Sequence, residues 1–173
     1  PLTGEGRTYP SFADMTRITR HWRDIYTPGV PIGLTERGAT SHTSLILVAL
    51  HNANNVGAAW MAAFMNQMLI EGIDRAIYLV TTDLRRQKEG KWQDVWGWPA
   101  LFTNPKVHGT HPKAAYHVFT MLSRMAPQRV EAMNPGATVG CLASRDTATG
   151  RLTVLVWNFG YRIDEFGPGA ELG

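Results

Sequence analysis

The stretch VPIGLTE, residues 30–36, decides the fold predicted for this chain. Its apolar and partly β-branched residues favour a short buried strand from Val30 to Thr35, which puts Glu36 at the carboxyl end of that strand. A second stretch of the same kind, RAIYLVTT, covers Arg75 to Thr82 and is followed directly by Asp83. Continuous apolar runs of this length are typical of strands buried in parallel sheets. The two stretches therefore predict an α/β fold with a carboxylate at the end of each strand.

Three helices are predicted around these strands. Apolar residues recur at three- and four-residue steps from Ser11 to Tyr26, which places them on one helical face. The segment from Val56 to Gly72 is apolar all round, as expected of a helix packed between neighbours, and Gly72 is its predicted C-cap. Pro112 opens a third helix, which Pro127 closes. The alternation of helix and strand, with long connections, indicates part of an α/β barrel or an open α/β sheet.

The length of the chain limits how much of a barrel these elements can form. A chain of 173 residues falls short of the roughly 250 residues of a complete (β/α)₈ barrel, so barrel features must belong to part of one. After Met133 the pattern changes, because Thr138–Ser144 and Leu152–Phe159 are β-rich runs joined by a turn-forming linker. We expect these two strands to pair antiparallel and to begin a second module.

Composition and charge exclude several classes of function. Seventeen Lys and Arg against fourteen Asp and Glu give a formal net charge of +3, which implies no nucleic-acid partner. The basic residues are dispersed apart from a cluster of four, Arg85, Arg86, Lys88 and Lys91. This cluster is interpreted as part of a long solvated loop from Asp83 to His111. The longest apolar run, Ser44 to Leu50, is too short to span a bilayer, so no membrane partner is predicted.

The sequence predicts no disulfide, metal or cofactor. The single cysteine, Cys141, excludes an intramolecular disulfide and a cysteine-rich zinc site, and its alternating strand favours a small buried hydrophobe. His108 and His111 have the spacing His-x-x-His, but they lie on a Gly-containing loop without a nearby carboxylate or cysteine. Exposed loop histidines are therefore expected. No Gly-x-Gly-x-x-Gly or Walker pattern indicates a nucleotide cofactor.

Glu36 is the candidate for chemistry because of its predicted position. In a parallel α/β barrel, the loops at the carboxyl ends of the strands build the active site. A glutamate held there can serve as nucleophile or general base in glycoside hydrolysis. The competing interpretation is that Glu36 caps the following loop or pairs with Arg37, and position alone does not separate the two.

The order of several segments resembles a known family. These segments are PIGLTERG, AAWMAAFMNQMLIEGID, AIYLVTTD, GWPALF, HPKAAYHVFTMLSRM, TVGCLASRD and GRLTVLVWNF. Their succession, over residues 30–159, resembles glycoside hydrolase family 39 of clan A, the β-xylosidase and α-L-iduronidase group. The resemblance implies the C-terminal part of a (β/α)₈ barrel over residues 1–133, from about the sixth to the eighth helix. It also implies that residues 134–173 begin a β-sandwich.

The resemblance implies a retaining glycoside hydrolase in which Glu36, at the end of the seventh barrel strand, is the nucleophile. Retaining hydrolysis needs a second carboxyl group about 5–5.5 Å away as acid/base. In the family this is a glutamate after an asparagine on the fourth strand, a setting that no carboxylate of this chain matches. The chain is therefore expected to be the C-terminal part of a longer enzyme. The alternative is a catalytically incomplete carbohydrate-binding or structural remnant.

The predicted partner is a carbohydrate. A tryptophan that often floors the family's sugar site is replaced here by Leu79, so Trp96 or Trp98 is expected to stack on a sugar face, with packing of the loop as the competing interpretation. Asp83 is predicted to contact substrate or to orient a loop. The open edges of a partial barrel also predict self-association of the chain.

Overall fold

A computed structural model describes residues 12–37, 54–78, 80–83, 85–88, 90–94, 100–106, 109–133 and 139–159. In these ranges helices and strands combine in an α/β arrangement with three small sheets. The elements are α1 (Phe12–Tyr26), β1 (Gly33–Arg37), α2 (Asn55–Glu71), β2 (Arg75–Tyr78), β3 (Arg85–Lys88), β4 (Lys91–Asp94), α3 (Ala114–Ser123), β5 (Gln128–Val130), β6 (Val139–Arg145) and β7 (Leu152–Asn158). Within the described ranges the strands form neither a closed barrel nor a two-sheet sandwich.

Strands β1 and β2 pair in parallel, and α2 connects them along the chain. Gly33 lies opposite Arg75 at the start of the pair, and Arg37 lies opposite Tyr78 at its end. A parallel pair needs such a crossover, because the chain must return to the same end of the sheet before the second strand begins. The predicted strand, helix and strand are confirmed in this order, although β2 ends at Tyr78 and not at Thr82 as predicted.

The start of β1 is set by Asp74, which immediately precedes β2. One carboxylate oxygen of Asp74 accepts a hydrogen bond from the amide of Ile32 at 2.7 Å, and the carbonyl of Ile32 accepts from the amide of Asp74 at 3.1 Å. The carbonyl of Ile32 also accepts from the amide of Arg75, the first residue of β2, at 3.3 Å, and this is the first bond of the ladder. The amide of Ile32 is instead bonded to the Asp74 side chain in the turn before β2. For this reason β1 begins at Gly33 and not at Val30, as the apolar pattern had predicted.

Helix α2 supplies most of the described core. Asn54 caps its first turn by accepting a hydrogen bond from the amide of Val56 at 2.9 Å. Gly72 ends the helix in the left-handed region at φ 63°, a conformation that glycine adopts without steric cost. The buried core cluster is Ile32, Met61, Ala62, Phe64, Met68, Ile73 and Val118. The predicted helix and its glycine cap are confirmed.

Helix α1 docks on α2 through a buried carboxylate. Glu71, 8% exposed, accepts a hydrogen bond from the side-chain amide of Gln67 at 3.0 Å. Arg17 and Arg20 of α1 lie 3.8 and 3.9 Å from its two oxygens. The predicted N-terminal helix is confirmed from Phe12 onward. None of the helices in the described ranges is long and apolar enough to cross a membrane.

Strands β5, β6 and β7 form an antiparallel sheet in that order. The antiparallel pairing of the two long strands, β6 and β7, is confirmed. Their connection is a tight turn in which Asp146 accepts hydrogen bonds from the amides of Ala148 and Thr149, at 2.9 and 3.1 Å. Strand β5 precedes residue 133 and yet belongs to this sheet. The division of the chain at that residue stays a prediction.

The segment after Asp83 differs from the long loop predicted up to His111. Strands β3 and β4 form an antiparallel hairpin, and Gly90 in its turn has φ 73°. Both strands are polar, so they carry no alternation of apolar residues from which pairing is inferred. Pro112 does not open the third helix either. It lies in an antiparallel bridge with Phe102, and α3 begins two residues later.

Candidate functional site at the carboxyl ends of β1 and β2

Glu36 is the penultimate residue of β1, at the carboxyl edge of the parallel pair. Its side chain lies outside the described residues. Between Leu34 and Arg37 the register shifts, because three steps along β1 face two steps along β2. Irregularities of this kind are over-represented next to active sites, where they re-aim a side chain and bend the strand. The backbone of Glu36 therefore lies in an irregular stretch at the edge where parallel sheets carry their ligand sites.

Residues 80–83, which follow β2 after one residue, have a different backbone neighbour. The amides of Leu101 and Phe102 donate to the carbonyls of Val80 and Thr81, at 3.0 and 2.9 Å. The amide of Asp83 donates in turn to the carbonyl of Phe102 at 2.9 Å. Thr82 and Phe102 form a parallel bridge, so the two segments run in the same direction. The segment 100–104 therefore lies beside residues 80–83.

Asp83 and Lys113 form a buried ion pair at this edge. The Lys113 ammonium donates to Oδ1 of Asp83, and the two side chains are 4% and 2% exposed. Lys113 is the N-cap residue of α3, and Asp83 follows Thr82, which forms a bridge with Phe102. A charge at such burial persists only when it is paired, because desolvation otherwise favours the neutral form. The pair therefore ties the start of α3 to the segment that follows β2.

Two polar residues that lie between Asp83 and Lys113 in the chain also form side-chain hydrogen bonds at this edge. The side-chain amide of Asn104 donates to the carbonyl of Asp83 at 3.0 Å. The Thr103 hydroxyl donates to the carbonyl of Gly109 at 2.5 Å and accepts from the amide of His111 at 2.9 Å. Asn104 and Thr103 are both buried. We call Asp83, Lys113, Asn104 and Thr103 the Asp83 cluster.

Two groups at this edge, Tyr78 and Lys113, have shifted pKa values, and burial is the main cause of both shifts. Burial raises the pKa of Tyr78, the last residue of β2, well above its usual value, and the negative charge of Asp83 adds to this shift. Burial also lowers the pKa of Lys113, while the hydrogen bond and charge of Asp83 oppose that effect. The phenol of Tyr78 therefore keeps its proton to a more alkaline pH than an ordinary tyrosine does.

The residues predicted to act beside Glu36 are only partly within the described structure. Trp96, Trp98 and Leu79 lie outside the described residues. Asp83 lies at the same edge as Glu36, but it is 2% exposed, so a sugar would reach its carboxylate only if the pair with Lys113 opened. A direct contact of Asp83 with substrate stays a prediction.

The other candidates from the sequence have ordinary surroundings. His111 is exposed, His108 lies outside the described residues, and Cys141 is half-buried in β6. In the part of the chain that the structure describes, no group of three His, Cys, Asp or Glu side chains is placed to hold a metal ion.

Sequence reasoning missed Lys113 as a partner of Asp83. The two residues are 30 positions apart, and a lysine before a helix ordinarily lies at the surface. The one signal is its setting in HPKAAY, between a proline and the apolar face of α3. That setting indicates restricted exposure but does not name the partner.

No protein-family model, curated protein or solved structure is significantly similar to this chain.

Proposed function

We propose that this chain is part of a retaining glycoside hydrolase with β-xylosidase-like specificity, in which Glu36 is the nucleophile. The observation that carries the proposal is the place of Glu36 in β1. It lies at the carboxyl edge of a parallel strand pair, in a stretch of irregular register. In α/β folds this edge is where catalytic and binding side chains collect. The order of segments that resembles family 39 supplies the substrate class.

The proposal requires a second carboxyl group as acid/base. By the family resemblance, that group is a glutamate on an earlier barrel strand, in a longer form of the enzyme. The Asp83–Lys113 pair makes Asp83 a poor substitute, because an acid that gives up its proton needs a raised pKa and access to the leaving oxygen. Asp83 is buried and already bonded to an ammonium. We assign it the second of its predicted roles, the orientation of a loop.

A substrate that needs no acid catalyst tests the nucleophile in this chain directly. In 2,4-dinitrophenyl 2-deoxy-2-fluoro-β-D-xyloside, the leaving group departs as a stable phenolate. The Glu36 carboxylate oxygen would form a bond to C1 of the sugar as the bond from C1 to the phenolate oxygen breaks. The fluorine slows hydrolysis of the resulting ester, so the fluorosugar remains on the protein.

The expected result is release of one equivalent of dinitrophenolate and a fluorosugar adduct, found by peptide mass spectrometry on Glu36. Glu36→Gln should form no adduct, because the neutral side-chain amide of glutamine does not attack C1 of the sugar. Glu131→Gln is the matched control, since it makes the same change at an exposed residue. Labelling of Glu36→Gln at the wild-type rate, or no release above the spontaneous rate, contradicts the proposal.

The burial of Asp83 favours a second candidate function, a carbohydrate-binding or structural module without turnover. In this case sugar binding survives Glu36→Gln and depends on the aromatic residues of the loop. Titration with xylobiose should then give saturable binding that is lost in Trp98→Ala. Absence of binding at millimolar sugar would contradict a carbohydrate-binding role.

We also propose self-association through exposed apolar edges. Ile77 of β2 is 61% exposed. Val154 and Val156, which lie on the same face of β7, are 56% and 61% exposed. Apolar strands with this exposure favour association with another chain. Light scattering across a hundredfold range of protein concentration should show a rising mass. A constant monomer mass would contradict this part of the proposal.

A further inference from the structure

A groove of about 350 Å³ lies between α2, the end of α3 and the sheet of β5 and β6. Its apolar lining includes Met65 and Leu69 of α2, Leu122 of α3 and Leu142 of β6. Cavities of about 300–1,000 Å³ with mainly apolar walls are the usual size of sites for small molecules. The groove therefore has the volume and the lining of a ligand site.

Two polar side chains give the groove a chemical preference. Among the described residues that line it, Arg129 carries the one charge, and its guanidinium donates to the side-chain oxygen of Asn66 across a long 3.4 Å. Ser144, which is 3% exposed, accepts a hydrogen bond from the amide of Ala126 at 3.0 Å. A hydroxyl that accepts in this way still has its own proton to donate. The polar lining thus consists of a cation and a hydroxyl donor within apolar walls.

We propose that this groove binds a small amphipathic anion, a molecule with an apolar chain or ring and one carboxylate. The apolar part would cover Met65, Leu69 and Leu142, and the carboxylate would pair with the guanidinium of Arg129. A guanidinium offers two parallel N–H donors, which match the two oxygens of a carboxylate. A cationic head group is disfavoured by the same charge, and a neutral one gains nothing from it.

This inference does not depend on the proposed glycosidase activity. No member of the Asp83 cluster is among the described residues that line the groove, and the groove is probed with variants other than those of Glu36. Failure of the fluorosugar experiment therefore leaves the groove proposal unchanged, and failure of the groove experiment leaves the nucleophile unchanged.

Methyl NMR of the full 173-residue chain, labelled with ¹³C at the methionine methyl groups, reads the groove directly. Met65 and Met125 line it, whereas Met61 and Met68 are buried in the core and serve as internal references. The probe is octanoate, with 1-octanol and octylammonium as matched neutral and cationic probes. Octanoate should shift the Met65 and Met125 signals saturably and leave the Met61 and Met68 signals in place.

Charge variants separate the proposed site from general hydrophobic binding. Arg129→Gln should weaken octanoate binding by at least about threefold, a modest factor because Arg129 is exposed, and should leave octanol binding unchanged. Leu69→Glu puts a negative charge in the groove and should reverse the preference in favour of octylammonium. Ile70→Glu is its matched control, since Ile70 is the next residue of α2, is 50% exposed against 48% for Leu69, and does not line the groove.

Three results would overturn the proposal. The first is the absence of a saturable shift at millimolar octanoate. The second is equal binding of the three probes, unaffected by Arg129→Gln. The third is a shift of Met61 and Met68 as large as that of Met65, because this would mean that the probe loosens the core.

Discussion

Lys113 and Asp83 are bonded through an ammonium and a carboxylate oxygen that are both almost fully buried. This pair joins the residue that caps the start of α3 to the segment that follows β2. It also brings a charge to within the electrostatic reach of Tyr78. The stability of this edge of the protein should therefore depend on the two members of the pair together.

Removing one member of the pair should be strongly destabilising. Lys113→Met leaves the charge of Asp83 buried without its partner, and we expect a loss of about 3–5 kcal/mol in the free energy of unfolding. The double variant Lys113→Met with Asp83→Leu should lose much less, because both charges are removed. Urea unfolding measures both values, with Lys106→Met as the exposed control. Equal losses in the single and double variants would contradict a coupled pair.

Tyr78→Phe should change the response of stability to alkaline pH. In the unfolded chain tyrosine loses its proton near pH 10, whereas the raised pKa of Tyr78 keeps it protonated in the folded state. The folded state then holds a proton that the unfolded state has lost, so stability falls as pH rises above about 10. Phenylalanine has no such proton, and the variant should lose less stability there.

Lys113 acts on alkaline stability with the opposite sign. Its lowered pKa means that the unfolded chain holds a proton that the folded chain has lost, so stability rises with pH between the lowered value and about 10.4. Because Lys113 is present in both proteins, the difference between wild type and Tyr78→Phe isolates the tyrosine. Melting temperatures from about pH 8 to about pH 11 supply this comparison. Parallel curves would show that Tyr78 titrates normally.

Gly140→Ala should destabilise the sheet of β6 and β7. Gly140 pairs with Trp157 across the two strands, and a Cβ atom at Gly140 would overlap the indole ring. The ring has to move, at a cost of about 1–3 kcal/mol in the free energy of unfolding. Gly33→Ala is the control, because a Cβ there meets no atom within 4 Å. Tryptophan fluorescence during urea unfolding measures both, and an unchanged midpoint for Gly140→Ala would contradict the contact.

Asn54→Ala should weaken α2 by removing its N-terminal cap. The side chain of Asn54 accepts a hydrogen bond from the amide of Val56, and its loss leaves that amide unpaired at the helix start, at a cost of about 1 kcal/mol. Asn55→Ala makes the same substitution at the next residue, which is exposed and inside the helix. Denaturant midpoints should separate the two variants. Equal effects would mean that the cap contributes nothing.

Much of the local structure could be predicted from the sequence. The continuous apolar surface of α2 and the glycine after it indicate a helix between neighbours, and the structure places Met61 and Met68 inside the core accordingly. The hairpin of β3 and β4 could not be predicted, because charged residues on both strands hide the period of two. The start of β1 also depended on a contact with Asp74, which is 42 residues from Ile32 in the chain.

Only those features of the candidate site that depend on neighbouring residues in the sequence could be predicted. An apolar run followed by a carboxylate predicts which residues lie at strand ends, because backbone and solvation preferences act over a few neighbouring residues. That reasoning placed Glu36 and Asp83 at the ends of two strands. The tertiary structure decided the rest: the parallel pairing that brings these ends to one edge, and the burial of Asp83 against Lys113. Burial and charge pairing depend on chain segments far apart in sequence, and only folding brings those segments together.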